Sequence, residues 1–99
     1  MAKKEVFQWL REGTKTIEVR KGHARHGDTA VFQSGATCLE FLIIRKETGQ
    51  LTEVIRQDNF RLVIPSAKTL EDALGYLQRL YAVSDGVFTA YHLAQRKKP

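Results

Sequence analysis

The pattern of hydrophobic and polar residues predicts that the chain begins with a helix and continues into a β-strand. Residues 3–12 carry apolar side chains at helical spacing, and Gly13 is positioned to end this helix. Residues 15–20 then alternate with the period of two that a strand requires. We therefore expect Ile17 and Val19 to face the core and the polar residues between them to share the opposite face.

The next segment predicts a β-hairpin. Residues 21–27 form a polar loop, residues 28–33 a second strand, and residues 34–35 (Ser-Gly) a turn. Residues 36–46 then form a long third strand. Its apolar run over 39–44 is nearly continuous, which predicts burial on both faces, as in a barrel or a sheet covered by helices.

The second half of the chain mixes helices and strands. Residues 50–57 predict a short helix, 61–65 a short extended segment, 69–81 a capped amphipathic helix and 87–93 a closing strand. The predicted order is α-β-β-β-α-α-β. This order is typical of an α+β domain with a small open β-barrel of mainly antiparallel strands and flanking helices.

Length and composition limit the class of protein. The 99 residues suit one domain over 1–99, with 94–99 as a basic C-terminal tail. An apolar fraction of 42% with 27% charged residues is typical of a globular domain. Since no apolar run approaches the ~20 residues that span a bilayer, we expect no membrane partner. The single cysteine, Cys38, lies in an apolar run and is predicted to be a buried, unreactive thiol, which fits a reducing cytoplasm.

The charge of the chain favours an anionic partner. The formal net charge is +5 and the isoelectric point is near 9.6. Part of this charge lies at the chain ends, in Lys3, Lys4 and residues 96–98, where basic residues are commonly solvated. The remaining cations cluster between Lys15 and His26, so this segment is the place to look for a site.

The charged strand at residues 13–20, GTKTIEVR, has two interpretations. Glu18 and Arg20 share a face, about 7 Å apart along the strand, and that face is either solvated or part of a concave site that also contains Lys15. In a concave site Arg20 can engage a phosphate or a base edge through two parallel hydrogen bonds. Lys15 can act as a point charge or, if desolvated, as a nucleophile or base.

The same residues resemble the ASCH domain, the activating-signal-cointegrator homology branch of the PUA-like superfamily. They form the motif GxKxxExR from Gly13, with Gly-Asp at 27–28 opening an apolar strand. The helix before Gly13, the capped helix ending in Leu-Tyr at 80–81 and the closing strand from 86–87 (Gly-Val) extend the resemblance over residues 4–93. The resemblance implies a small β-barrel with a cleft beside the GxKxxExR strand.

The resemblance also implies a link to RNA. Some members of the family bind nucleic acid, some are reported as ribonucleases, and a bacterial branch hydrolyses acetylated cytidine with a lysine, a threonine and a glutamate. Lys15 matches the lysine, but Glu18 occupies the threonine position, and Asp58 matches the glutamate only across a gap. That deacetylation chemistry is therefore not carried over as such, while Lys15 with Glu18 or Asp58 suffices for acid-base work on another bond.

A binding interpretation adds residues outside the strand. The residues expected at such a cleft are Lys21, Arg25 and His26 on its rim, Phe60 and Tyr91 as stacking platforms or core residues, and Ser66 in a nearby loop. Packing in the core is expected for Trp9, Tyr76 and Tyr81. His23 and His26 have no cysteine or third histidine close in sequence, so no metal and no cofactor is predicted.

Three hypotheses about function follow. The first is an RNA- or nucleotide-binding domain in which Lys15 and Arg20 hold the ligand and Glu18 orients them. The second is a small hydrolase of the ribonuclease or amidohydrolase type, with Lys15 and Glu18 or Asp58 in catalysis. The third is a protein-interaction domain whose basic surface is incidental.

Overall fold

The protein is described by a computed structural model that covers residues 3–82 and 85–95. Its elements are α1 (Lys4–Glu12), β1 (Ile17–Lys21), β2 (Thr29–Ser34), β3 (Thr37–Gly49), α2 (Leu51–Val54), α3 (Phe60–Val63), α4 (Leu70–Tyr81) and β4 (Phe88–Gln95). The predicted α+β class is confirmed, and α3 adds one helix to the predicted order.

The strands form one curled, half-barrel sheet. Its order is β1-β4-β3-β2, and each neighbouring pair is antiparallel, as predicted. The predicted hairpin is confirmed, because Ser34 pairs with Thr37 across a turn in which Gly35 has a φ of 60°. In this order β1 and β2 are the two edge strands, so the opening of the half-barrel lies between them.

The inner face of the sheet carries an aromatic cluster that seats the first helix. Phe7 and Leu10 of α1 are buried with Phe32, Phe41 and Leu93 of the sheet. Phe32 and Phe41 meet edge to face, with their ring centroids 5.8 Å apart. The first helix ends as predicted at Gly13, whose φ of 81° gives the left-handed conformation that glycine adopts without strain.

The outer face of β1 and β4 carries the larger part of the core. Ile17, Val19, Phe88 and Ala90 pack there against the buried residues of the three later helices. The alternation in β1 is therefore confirmed, with its apolar residues on this face and Glu18 and Arg20 on the inner one.

The helix predicted over 69–81 is confirmed with a modified cap. The Thr69 hydroxyl accepts a hydrogen bond from the main-chain N–H of Asp72 at 3.1 Å. The Asp72 carboxylate accepts from the main-chain N–H of Lys68 at 3.2 Å rather than from Thr69. Both bonds satisfy amides at the start of the helix, so the sequence signal for a cap is sound.

The prediction that the apolar run 39–44 is buried on both faces is wrong. Phe41 is buried, but Leu42, on the side opposite the aromatic cluster, is 39% exposed, and Ile44, at the irregularity in pairing between Ile43 and Arg45, is 68% exposed. The predicted buried thiol is also wrong, since Cys38 is exposed. Cys38 lies two residues from Glu40 and four from Leu42, and so shares their exposed face.

The prediction of an extended segment over 61–65 is wrong, because this part of the chain begins with a turn of helix. The Asn59 side chain accepts a hydrogen bond from the main-chain N–H of Arg56 at 2.7 Å and closes a turn. The helical turn α3 then begins at Phe60, which places Phe60 and Val63, three residues apart, in the core.

The predicted C-terminal tail lies partly outside the described residues, and the prediction of no membrane partner can be compared with the described helices alone. Of the basic tail predicted over 94–99, Ala94 and Gln95 belong to β4, and residues 96–99 lie outside the described part of the chain. No helix within the described ranges is long and apolar enough to cross a membrane.

Glu47 is the centre of an ion-pair network, and we expect it to make stability depend on pH. His92 lies 2.7 Å and Arg56 3.4 Å from its carboxylate. Partial burial raises the pKa of Glu47, but the bonds from His92 and the neighbouring arginines outweigh it, so the net pKa lies below the ordinary 4.5. The stability that Glu47 contributes is therefore present above pH 4.5 and is lost as the pH falls through the lower folded-state pKa.

Glu47→Gln is expected to lower the free energy of unfolding by about 1 kcal/mol at pH 7, with the difference from wild type shrinking below pH 4.5. Urea denaturation across pH 3 to 8 measures it. The matched control is Glu12→Gln, which removes an exposed carboxylate that makes no ion pair within the described residues. A constant difference between wild type and Glu47→Gln at all pH values would contradict the prediction.

Candidate functional site

A cavity of about 420 Å³ opens on the inner face of the sheet, between the edge strands β1 and β2. We call it the cationic cavity because Arg20, Lys21 and Arg25 line it, together with His23 and His26. Its size lies in the range of about 300–1,000 Å³ that is usual for small-molecule sites. The structure thus brings together the rim residues that the sequence predicts.

The apolar part of this cavity comes from the sheet and from the end of α4. Phe32, Ile43 and Leu93 supply aliphatic and aromatic surface, and Tyr81 and Tyr91 add rings with polar hydroxyls. Cations beside aromatic rings are the usual surface for ligands that combine charge with flat rings. The predicted position of Tyr91 at the cleft agrees with this lining.

The loop that carries the rim cations is held by its main chain. The Tyr91 hydroxyl accepts a hydrogen bond from the main-chain N–H of Arg25 at 3.1 Å. The ammonium of Lys46 donates to the main-chain carbonyl of Arg25 at 2.7 Å. Since both contacts use the main chain of Arg25, its guanidinium stays available to a ligand while the loop keeps its place over the sheet.

A second cavity of about 600 Å³ continues from the first towards α1 and α4. We call it the apolar cavity because Val6, Ile64, Leu77 and Leu80 contribute to its wall, although Lys3 also lines it. The residues that line both cavities are Glu18, Arg20, Val31, Phe32 and Tyr81. The two cavities therefore adjoin at the Glu18–Arg20 pair, and we call them together the seam groove.

Lys15 is buried at the floor of this groove and all its donors are engaged. Its side chain is 3% exposed, and its ammonium donates to the main-chain carbonyls of Ile17 at 2.7 Å and Val63 at 2.6 Å. The third contact is an ion pair with Glu18 at 3.4 Å. An ammonium has three donors, so Lys15 has none left for a ligand.

The electrostatics of Lys15 follow from this burial. Desolvation lowers the pKa of its ammonium below 10.5, and the neighbouring Glu18 carboxylate partly offsets the effect. A lowered pKa and a carboxylate partner are features of catalytic lysines. In this arrangement, however, the ammonium joins the end of α3 to β1 and positions Glu18.

Glu18 in turn positions Arg20. One oxygen of the Glu18 carboxylate faces Lys15, and the other accepts from Nε of Arg20 at 3.1 Å and lies 3.0 Å from its Nη2. The Glu18 side chain is 17% exposed and that of Arg20 58%. The guanidinium is therefore held by one edge with its remaining Nη1 group turned away from the carboxylate, and in the described structure that group makes no hydrogen bond.

The free edge of β1 is closed by side chains, and this role of Lys15 is not visible in the sequence. Leu93 pairs with Thr16 through its main-chain N–H, so the carbonyls of Ile17 and Val19 point away from β4. Lys15 caps the first of them, and the Tyr81 hydroxyl donates to the second at 2.8 Å. Both capping side chains also line the seam groove.

Three predicted site residues lie elsewhere. Asp58 is 78% exposed, forms an ion pair with Arg56 and does not line the seam groove. Phe60 is 5% exposed and belongs to the core, so of its two interpretations the packing one is confirmed. Ser66 lines neither cavity of the seam groove but a third one of about 270 Å³ beside α4, which shares Ile64 and Tyr76 with the apolar cavity.

Some residues of the groove escape sequence analysis. Val31 and Phe32 reach it because the sheet curls and brings the two edge strands together. Tyr81 packs against the core as predicted, yet it also lines both cavities. The sequence does contain a signal for Tyr81, because it is the last residue of the apolar stripe of the predicted helix 69–81. Lys46, which does not line the groove but bonds the Arg25 carbonyl of its loop, carries no comparable signal.

Metal-binding capacity is the remaining question for this site. In the ranges 3–82 and 85–95, no group of three or more His, Cys, Asp or Glu side chains is arranged to hold a metal ion. His92 is engaged instead in the ion pair with Glu47.

Comparison with known proteins adds a fold relative. The crystal structure of the hypothetical protein PH0355 matches this chain with a TM-score of 0.75, covering 96% of this chain and 94% of that one at 19% sequence identity. At this level of identity the match shows a shared fold alone. No protein-family model matches the chain. No curated protein matches it either.

Lys15→Met is expected to lower the free energy of unfolding by about 3 kcal/mol, because it leaves two inward-facing carbonyls and the Glu18 carboxylate without their cation. Urea denaturation measures it. Lys68→Met is the control, since the exposed Lys68 side chain makes no hydrogen bond or ion pair within the described residues. An unchanged or increased stability of Lys15→Met would contradict this prediction, because it would show that burial of the ammonium does not stabilise the fold.

The pH dependence of the Lys15→Met effect gives a second readout. Since burial lowers the folded-state pKa of Lys15, the unfolded chain binds more protons between that pKa and 10.5. Wild-type stability therefore gains relative to Lys15→Met as the pH rises through this window. A stability difference that is constant up to pH 10.5 would contradict the assignment.

Proposed function

We propose that this protein is an ASCH-like member of the PUA-like superfamily and binds RNA or a nucleotide in the cationic cavity. The GxKxxExR strand supports the family assignment, since its Glu18 and Arg20 line a cleft of the half-barrel. The observation that carries the proposal is the combination of Arg20, Lys21 and Arg25 with the rings of Tyr81 and Tyr91 around one cavity. The cations of such a surface complement a phosphate, and its aromatic rings complement a base.

Each group in the cavity then has a role. Arg20 presents its free Nη1 edge, which can donate to a phosphate or to a base edge. Lys21 and Arg25 contact the sugar-phosphate backbone from the rim. Tyr91 offers its ring to a base while its hydroxyl holds the loop, because the bond to Arg25 uses only the oxygen.

The hydrolase alternative has less support in the geometry. Lys15 would have to leave two carbonyls and a carboxylate before it could attack a substrate or accept a proton. Asp58 does not line the groove, so the acid-base partner left near Lys15 is Glu18, whose two oxygens are already bound by cations. Binding of a ligand without bond cleavage requires none of these contacts of Lys15 and Glu18 to break.

Arg25→Gln is expected to weaken binding of a single-stranded RNA tetranucleotide by about tenfold, because it removes a charged hydrogen-bond donor to phosphate. Isothermal titration calorimetry at 50, 100 and 200 mM salt measures the affinity. The slope of log Kd against log salt should fall in magnitude by about 0.7, because the variant neutralises one phosphate fewer and releases fewer counterions.

The matched control is Arg61→Gln, which changes net charge by the same amount at a guanidinium that lies over the Phe60 ring and does not line the seam groove. Its effect on affinity should be less than twofold. Equal losses from both variants would show that only overall charge matters. No binding of RNA, DNA or mononucleotides by the wild type at 50 mM salt would refute the proposed function.

A further inference from the structure

The seam groove combines two cavities of about 420 and 600 Å³, each within the usual size of a small-molecule site, and this property narrows the class of ligand. We propose that the ligand is a single-stranded nucleic acid segment of at least two nucleotides, laid along the groove with one nucleotide in each cavity and Arg20 at the phosphate between them. This inference rests on the proposed function, and it commits to a polymer rather than a free nucleotide.

The adjacency of the two cavities is the first support. Both are lined by Glu18, Arg20, Val31, Phe32 and Tyr81, so they adjoin along these side chains. Each cavity, at about 420 and 600 Å³, is large enough for a ligand of nucleotide size. A single nucleotide would leave one of them open to water.

The position of Arg20 is the second support. It belongs to both linings, and the Glu18 carboxylate holds one edge of its guanidinium at 3.0–3.1 Å. A donor held at the junction of two cavities matches the phosphodiester that joins two nucleosides, because that phosphate lies between the two bases. The terminal phosphate beyond it would reach Arg25 on the loop.

The far end of the groove also fits a second nucleoside. Tyr76 and Leu80 line the apolar cavity; the Lys3 ammonium lies over one face of the Tyr76 ring, 5.5 Å from its centroid, and the Tyr76 hydroxyl donates to the Glu5 carboxylate at 3.3 Å. A base can stack on the ring face that Lys3 leaves uncovered, and such stacking has little sequence preference. An apolar cavity with a cation at its edge is poorly matched to a free inorganic phosphate.

The outer edges of β1 and β2 differ in whether their main-chain groups are already hydrogen-bonded. This difference identifies β2 as the edge to which the bases of a bound nucleic acid can form hydrogen bonds. Lys15 and Tyr81 cap the β1 carbonyls, as described above. On β2, the bond from the Ile43 N–H to the Asp28 carbonyl sets the alternation, so the main-chain groups of Val31 point away from β3. Val31 is 59% exposed and lines both cavities, so its N–H and carbonyl are open to base edges.

The test compares two ligands of matched phosphate content. Uridine 5′-phosphate carrying a methyl-esterified 3′-phosphate, written pUp below, has one phosphate monoester, one diester and one nucleoside, whereas the dinucleotide pUpU adds the second nucleoside with the same phosphate charges. We expect pUpU to bind about tenfold more tightly than pUp in calorimetry at 50 mM salt, because one more base stacks. Equal affinities would overturn the inference while leaving the proposed function standing, provided Arg25→Gln weakens both.

A variant in the apolar cavity tests the placement of the second nucleoside. Leu80→Glu introduces a carboxylate at a residue that lines only this cavity and is already 44% exposed. It should abolish the advantage of pUpU and change pUp affinity by less than twofold. The control is Leu62→Glu, because Leu62 is 42% exposed and does not line the groove.

The remaining outcomes also decide the question. An advantage of pUpU that survives Leu80→Glu would place the second nucleoside elsewhere and overturn the inference. Competition by a hexaglutamate peptide as strong as that by pUpU would indicate an acidic extended peptide along the β2 edge instead. A failure of pUp, pUpU and longer RNA alike to bind would remove the proposed function and the inference together.

Discussion

The arrangement of this site depends on one buried ammonium. Lys15 bonds a carbonyl of β1, a carbonyl at the end of α3 and the Glu18 carboxylate, and these contacts partly offset a desolvation cost of several kcal/mol. Because an ammonium donates in three directions, it can join a strand edge, a helix end and a side chain at one point. The orientation of Glu18, and through it that of Arg20, follows from this junction.

The groove itself follows from the number of strands. Four curled strands do not close a barrel, so the two edge strands face each other across an opening. The later helices cover the outer face of β1 and β4, and α1 covers the inner face near Phe32 and Phe41. The inner face between α1 and the loop that carries Arg25 remains open, and the polar side of β1 lies there.

Local sequence patterns predicted those elements whose conformation is determined by residues close to them in the sequence. The alternation in β1, the turn at Gly35, the helix end at Gly13 and the cap at Thr69 each depend on neighbours within a few residues. The run 39–44 was misjudged because a strand buried on both faces and one with an exposed apolar face have the same sequence pattern.

The residues of the candidate site show the same distinction between features set by residues close in sequence and features set by the packing of distant segments. Glu18 and Arg20 could be placed together because they share a strand face, and the loop cations because they follow it directly. Asp58 and Ser66 depended on how distant segments pack, and the structure places them outside the groove. The buried, capping role of Lys15 could not be predicted, since its carbonyl partner at Val63 is 48 residues away in the chain.

The charges of the groove also show why its affinity should depend on geometry more than on total charge. Lys15 and Glu18 neutralise each other, so the pair adds orientation to Arg20 without adding to the net field. Arg25 is likewise held through its main chain, which limits where its guanidinium can reach, and that guanidinium makes no hydrogen bond or ion pair within residues 3–82 and 85–95. Groups held in place before binding lose less conformational entropy when a ligand arrives. Under the proposed binding function, a ligand must therefore match the spacing of these cations and not merely carry negative charge.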